Sequence, residues 1–341
     1  PVARYLGPAQ FGQLAWVLAL VGIGVAVAEA GLSGFVRREL VREPERAAGI
    51  LAAAWRLRLL AGAVCYAGLF GWIAWSVPVA EERTLLLVLG WQLFTPAMGV
   101  SDLWLQARLK AALAVRAQLL ALALGAVVRI ALVLARGPLL AFAIILVVET
   151  VLAAVLMQRF ARSAGQPGLM FAPPALSSRQ LLGESWPLLL SGLTVLLYIR
   201  LDVIMVRHLV GEKPAGSYAA AVRLSELWFF IPGAVGSSLL PWLLRARAAG
   251  TEAYSKALQR FMDLNAGLAY ALALPTALLA VPLVAVVYGP DYAAGGPVLM
   301  VHAWTFVWAG LGVARGQYCV NEGLTRLQLA SAALGALVNI A

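Results

Sequence analysis

The sequence predicts an all-α integral membrane protein made of two parallel-related six-helix bundles, and three observations carry that prediction. Of 341 residues, 62% are hydrophobic and only 12% charged, whereas a soluble domain carries about 25% charged residues. Apolar stretches of roughly 20 residues, each long enough to cross a ~30 Å hydrocarbon layer as a helix, recur between short links marked by Gly and Pro. The chain also repeats itself at an interval of a little over 200 residues.

Taken in order, the apolar runs place helices near 13–34, 50–77, 84–106, 115–136, 139–160, 185–208, 217–243, 260–287 and 293–315, with a tenth starting near 325 and still apolar at Ala341. The chain opens on "RYLGPAQFGQLAW", residues 4–16, which reads as a Gly-Pro link with no helix before it. Cys65 and Cys319 lie in or beside apolar helices, which argues for two buried thiols and against a disulfide framework. No metal-ligand spacing is found.

The net charge is +10, but binding nucleic acid would need a basic face on a soluble or interfacial module. Here the basic residues sort by link instead. Eighteen Lys and Arg fall in or beside alternate links, including Arg37, Arg56, Arg58, Arg108, Arg162 and Arg245, against five on the other side. An excess of Lys and Arg marks the cytoplasmic face, so the links at 35–50, 106–116, 160–180, 244–260 and 315–326 are expected there. The charge then reflects topology, with the lipid bilayer as partner and no nucleic acid.

Laid on itself, "LGPAQFGQLA" at 6–15 aligns with "VGEKPAGSYA" at 210–219, pairing Gly7 with Gly211 and Gly12 with Gly216. The same offset of 204 puts Arg56 on Arg260 and Pro78 on Pro282. Further on, "RAQLLALALG" at 116–125 aligns with "RLQLASAALG" at 326–335 at an offset of 210, implying a six-residue insertion in "YGPDYAAGGP" at 288–297. This register pairs Gln92 with His302, Thr95 with Thr305 and Arg129 with Asn339. It divides the chain into an N-terminal bundle at 1–160, a cytoplasmic linker at 161–180 and a C-terminal bundle at 181–341. It also implies a first helix before Pro1, and the end of a fifth and all of a sixth helix beyond Ala341. Halves with an even number of spans enter the membrane from the same side and hold a substrate site between them.

The stretch "YLGPAQFGQLAWVLALVGIGVAVAEAGLSGFVRREL", and "LYIRLDVIMVRHLVGEKPAGSYAAAVRLSELWFFIPGAVGSSLLP" in the second half, resemble the Wzx-type polysaccharide biosynthesis flippases. That superfamily also contains the MATE transporters and the lipid II flippases. The Leu201-Asp202 pair and the Gly-x-x-x-Ala-Gly-x-Tyr-Ala loop at 211–219 belong to the resemblance. It implies a MATE-like fold in the bacterial inner membrane, with the N-terminus of the full-length protein in the cytoplasm. It also implies a transporter rather than an enzyme, moving an undecaprenyl-diphosphate-linked oligosaccharide from the cytoplasmic to the periplasmic leaflet by alternating access. The product would feed O-antigen or exopolysaccharide biosynthesis, with polysaccharide polymerase machinery as a partner. No cofactor is implied, and the choice between proton and sodium as coupling ion stays open. Two alternatives stand beside this reading. A cation-coupled small-molecule exporter would need an acidic cavity, and Arg129, Arg200 and Arg223 count against it. A membrane polymerase or ligase would carry a sizeable periplasmic loop, whereas the outward links run to only about 5–12 residues.

Charged residues near a helix centre cost about 2.5–3.5 kcal/mol on insertion scales, which makes them functional candidates. Ser191, Thr194, Tyr198 and Asp202 share one face of the helix at 185–208, with Arg200 off that face. Arg223 and Glu226 stand one turn apart, followed on the same side by Phe230 and Gly233. They read either as a self-neutralising pair or, as the resemblance implies for Arg223, as a contact for an anionic diphosphate. Glu29 shares a face with Gly22, Val25 and Ser33, while Arg129 and Glu149 can pair across the hairpin at "ARGP". His302 is expected as a hydrogen-bonded packing residue rather than a proton relay. Gly24, Ala28 and Gly31 read as close-packing positions, and Pro96, Pro232, Pro275 and Pro282 as kinks.

Overall fold

A computed structural model describes residues 1–168, 172–321, 330–331 and 334–335. Its helices, in chain order, are α1 (Val2–Glu29), α2 (Leu32–Arg42), α3 (Ala47–Ser76), α4 (Ala80–Gly90), α5 (Thr95–Met98), α6 (Val100–Ala107), α7 (Ala111–Leu134), α8 (Leu139–Ser163), α9 (Ser178–Val210), α10 (Glu212–Glu226), α11 (Phe230–Ala248), α12 (Thr251–Leu278), α13 (Ala280–Tyr288), α14 (Gly295–His302) and α15 (Thr305–Asn321). Seven helical stretches among the described residues are long and apolar enough to cross a membrane, and α9 makes an eighth if its two bent segments are one span. The α10–α11 stretch coincides with the remaining expected helix. The tenth, from 325, lies largely outside the described residues.

Breaks inside the spans are the main departure from the expected helices, and each has a local cause. Helix precedes residue 13: α1 includes Val2–Leu6, turns at Gly7 with φ 70°, and continues from Pro8. Proline at a first helical position loses no hydrogen bond, so the Gly-Pro pair re-aims a helix rather than forming a link. The repeat partner Gly211 likewise takes φ 109° immediately before α10. Ala30 and Gly31 adopt left-handed φ values of 55° and 62°, so the expected helix at 13–34 is two helices, α1 and α2. Gly31 is needed there twice over, since an added Cβ would lie 2.5 Å from Leu189 N in α9.

The third span breaks near Pro96. Having no N–H, Pro96 leaves the Gln92 carbonyl without its usual helical donor, and the Thr95 hydroxyl bonds that carbonyl at 2.7 Å. At the repeat-equivalent place the Thr305 hydroxyl bonds the His302 carbonyl at 2.6 Å, where α14 gives way to α15. Two residues matched by sequence therefore perform the same local repair in both halves.

By contacts the chain forms two compact units, one of residues 13–204 and one of 205–339 together with 3–12. The first is centred on Leu32, Val36, Leu51, Leu105, Ala117 and Leu181, which join α2, α3, α6, α7 and the start of α9. In the second, Phe261, Phe306 and Ala273 anchor α12 against α15. The segment at 3–12 packs on α10: a Cβ on Gly12 would lie 2.7 Å from Gly216 N, and one on Gly216 would lie 3.0 Å from Gly12 N. The insertion at 288–297 clamps the same segment. Tyr292 is buried and donates to Ala3 O at 2.6 Å, and the Arg4 guanidinium bonds Val286 O. Burial pushes the Tyr292 phenol well above its ordinary value.

Candidate functional site

In the first unit the break between α1 and α2 assembles a charged cluster. Its centre is Arg58, which the positive-inside reading had counted with a link. Helix α3 begins at Ala47, so Arg58 stands about 16 Å into the span at 1.5 Å per residue, and its side chain is only 3% exposed. Burial in a span demands partners, and Arg58 has several. Its Nη1 donates to Pro96 O at 3.0 Å, its Nε to Glu29 O at 3.3 Å and its Nη2 to Ser33 Oγ at 2.9 Å. The planar fork thus satisfies carbonyls at two helix breaks at once, which a point-charge ammonium would not. The Glu29 carboxylate lies 3.7 Å from Nη2 and accepts the Ser33 hydroxyl.

Glu29 is 46% exposed and opens onto a crevice of about 460 Å³ between the α1–α2 break and α9, lined also by Ser33, Arg37, Leu188 and Gly192. Arg37 is held by Gln106 at 2.7 Å, whose amide nitrogen donates to Asp102 at 2.8 Å. The crevice wall therefore presents one carboxylate backed by a buried guanidinium and a second guanidinium one turn into α2. Such a surface can take hydroxyls on the carboxylate and an anionic oxygen on Arg37.

The other candidates fall in separate places. Arg129 and Glu149 form the ion pair expected across the α7–α8 hairpin at 2.5 Å. Gly125 makes room for it, since a Cβ there would lie 2.9 Å from Glu149 Cδ. On α9, Arg200 is half-buried and Asp202 Oδ1 accepts the Val203 N–H at 2.7 Å. The side chain of Tyr198 lies outside the described residues, and the Thr194 hydroxyl is committed to Leu190 O at 2.8 Å. In the second unit Arg223 is exposed on α10, within electrostatic reach of Tyr288. His302 Nδ1 lies 2.6 Å from Ser225 Oγ, whose own proton goes to Val222 O. With that proton committed, the imidazole is the donor to Ser225. Cys65 is half-buried rather than buried, Cys319 is buried, and both are free thiols.

Residues 2–295 match the family described as "Polysaccharide biosynthesis protein". The chain belongs to that family. No curated protein sequence matches it. Among solved structures, this family member is similar to an inward-facing multidrug resistance MATE family transporter of the MOP superfamily, at 16% identity and a TM-score of 0.70, over 99% of this chain and 82% of that one. It is also similar to a MATE protein in a bent conformation, at 15% identity and a TM-score of 0.51, over 99% of this chain and 91% of the other. The fold is MATE-like, as the resemblance implied. Arg58 is the residue that sequence reasoning missed. The signal was its distance from Pro44 and Glu45, where a helix start leaves eleven residues of α3 before it.

Proposed function

We propose that this protein is a transporter that moves an undecaprenyl-diphosphate-linked oligosaccharide between leaflets for polysaccharide biosynthesis. The observation that carries the reading is the joining of a polysaccharide biosynthesis family to a multi-pass MATE-like helical fold. An amphipathic lipid-linked glycan needs a protein that shields sugar hydroxyls and diphosphate charge from hydrocarbon. Charged groups kept within the spans, such as Arg37 and Glu29 at the crevice and Arg223 on α10, suit that task. The reaction breaks no covalent bond; alternating access supplies the mechanism, and the Lys/Arg-rich side is the cytoplasmic one.

The test is reconstitution of the full-length protein in liposomes carrying a fluorescent lipid-linked oligosaccharide, read by the fraction accessible to an external glycosidase. Protein-dependent equilibration of the label supports the reading. Uptake of a cationic dye with no movement of the lipid would overturn it in favour of a small-molecule exporter.

A further inference from the structure

We propose that a second crevice, in the first unit between α3, α5–α6 and α8, is a binding site for an anionic phospholipid. It encloses about 230 Å³, more than the ~150 Å³ apolar cavity that accommodates a benzene. Its walls are mostly apolar, formed by Trp55, Met98, Val100, Ala154 and Val155, while Ser101, Gln158 and Arg162 supply the polar groups.

Their order along the membrane normal matches a phospholipid. Arg162 stands in the last turn of α8 and Ala154 lies eight residues earlier, so the crevice runs inward by about 12 Å from the helix end. The cationic group thus sits at headgroup level and the hydrocarbon walls at the level of the upper acyl chain. Ser101, six residues before the end of α6, and Gln158, five before the end of α8, fall between them at a common depth, where ester carbonyls would lie.

Ser101 adds an independent observation. The residue is 1% exposed, it lines the crevice, and its hydroxyl has no hydrogen-bond partner among the described residues. Buried hydroxyls almost always have one, and an ester carbonyl would supply it. Charge selects the lipid class. No carboxylate lines the crevice, and beside its mouth the Lys110 ammonium is tied to Ala164 O at 2.9 Å, two residues past Arg162. Arg162 can contact the phosphate of any phospholipid, but a cationic rim whose lining offers no carboxylate to receive a headgroup ammonium favours an anionic headgroup over a zwitterionic one.

The full-length protein in detergent can be titrated with phosphatidylglycerol, with phosphatidylcholine of the same chains and with inorganic phosphate, following bound lipid by native mass spectrometry and the thermal midpoint. Phosphatidylglycerol is expected to be retained and to raise the midpoint; the other two should do neither. Arg162→Gln should weaken retention on the order of tenfold, as befits loss of one charge-assisted contact. Val155→Trp, which narrows the slot and leaves the arginine in place, should weaken it comparably. Equal retention of both phospholipids, or unchanged phosphatidylglycerol retention in both variants, would overturn the proposal. So would protection by phosphate alone. Retention of undecaprenyl phosphate in place of phosphatidylglycerol would reassign the slot to the transported lipid.

Discussion

Arg58 shows how one side chain can tie two interrupted helices together inside a bilayer. Its donors end on Glu29 O at the α1–α2 break and on Pro96 O in the third span, with Ser33 bridging to the Glu29 carboxylate. Removing it takes the guanidinium donors from the Glu29 and Pro96 carbonyls and leaves the Glu29 carboxylate with the Ser33 hydroxyl alone. Leaving a buried acceptor without its donor costs about 1–3 kcal/mol, and two carbonyls are affected, so Arg58→Ala should lower the thermal midpoint sharply or abolish membrane accumulation. Arg58→Lys should recover part of the loss, because one ammonium reaches fewer of the diverging acceptors. A midpoint in Arg58→Ala equal to the wild type would show that the breaks are held otherwise. Arg223 calls for a different measurement. It is exposed on α10, where a guanidinium can meet an anionic ligand. In a glycan-export complementation assay, Arg223→Ala should abolish export at normal protein levels, and combining Arg223→Glu with Glu226→Arg should not restore it. Export surviving in the double variant would return the two residues to a packing role.

At the scale of elements, the internal repeat was legible because a few non-aliphatic residues kept their order. The structure gives those matches physical content. Gly7 and Gly211 both take positive φ, Thr95 and Thr305 bond equivalent carbonyls, and Gly12 lies against its own repeat partner Gly216. That the matched glycines touch was not legible, because an alignment equates positions without saying which lie near one another in space. The break near Pro96 was legible as a proline kink, whereas the one at Ala30-Gly31 was hidden for a related reason. Hydropathy averages over a window and stays high across Ala30-Gly31, and only the left-handed backbone reveals the interruption. The α1–α2 crevice was missed with it. The close contact makes a prediction. In Gly216→Ala the new methyl would meet Pro8 backbone, its carbonyl carbon at 2.7 Å, whereas in Gly22→Ala it would meet nothing within 4 Å. Backbone cannot rotate away as a side chain tip can, and overpacking costs about 1–3 kcal/mol. Gly216→Ala should therefore lose several degrees in thermal midpoint while Gly22→Ala stays within a degree or so. Equal midpoints for the two variants would mean that the 3–12 segment is not seated on α10.

For the whole molecule, the open question of orientation divides into parity and sign. Between the link that follows α8 and Gly289 the chain contains α9, then α10–α11, then α12–α13. If all three cross, the two links lie on opposite sides of the membrane. Two stretches decide this: α9, which counts as a span only if its two bent segments are one, and α10–α11, which is absent from those long and apolar enough to cross among the described residues. The apolar content of α10–α11 is diluted by Glu212, Lys213, Arg223 and Glu226, residues that a transport cavity would retain and a lipid-facing helix would shed. The sign rests on Lys and Arg. Taking out Arg56, Arg58 and Arg260, each nine or more residues into its helix, and Arg37, which lies in a span, still leaves fourteen basic residues on one side against five on the other, ample for the positive-inside bias. A reporter fused after Gly168 should therefore read cytoplasm, and one fused after Gly289 should read periplasm. Two cytoplasmic readings would show that one of α9 and α10–α11 does not cross, overturning the orientation, and a third reporter fused after Gly211 would say which. Exchange of the two readings would preserve the fold and invert its orientation, placing Arg162 and the other basic residues of that face on the periplasmic side.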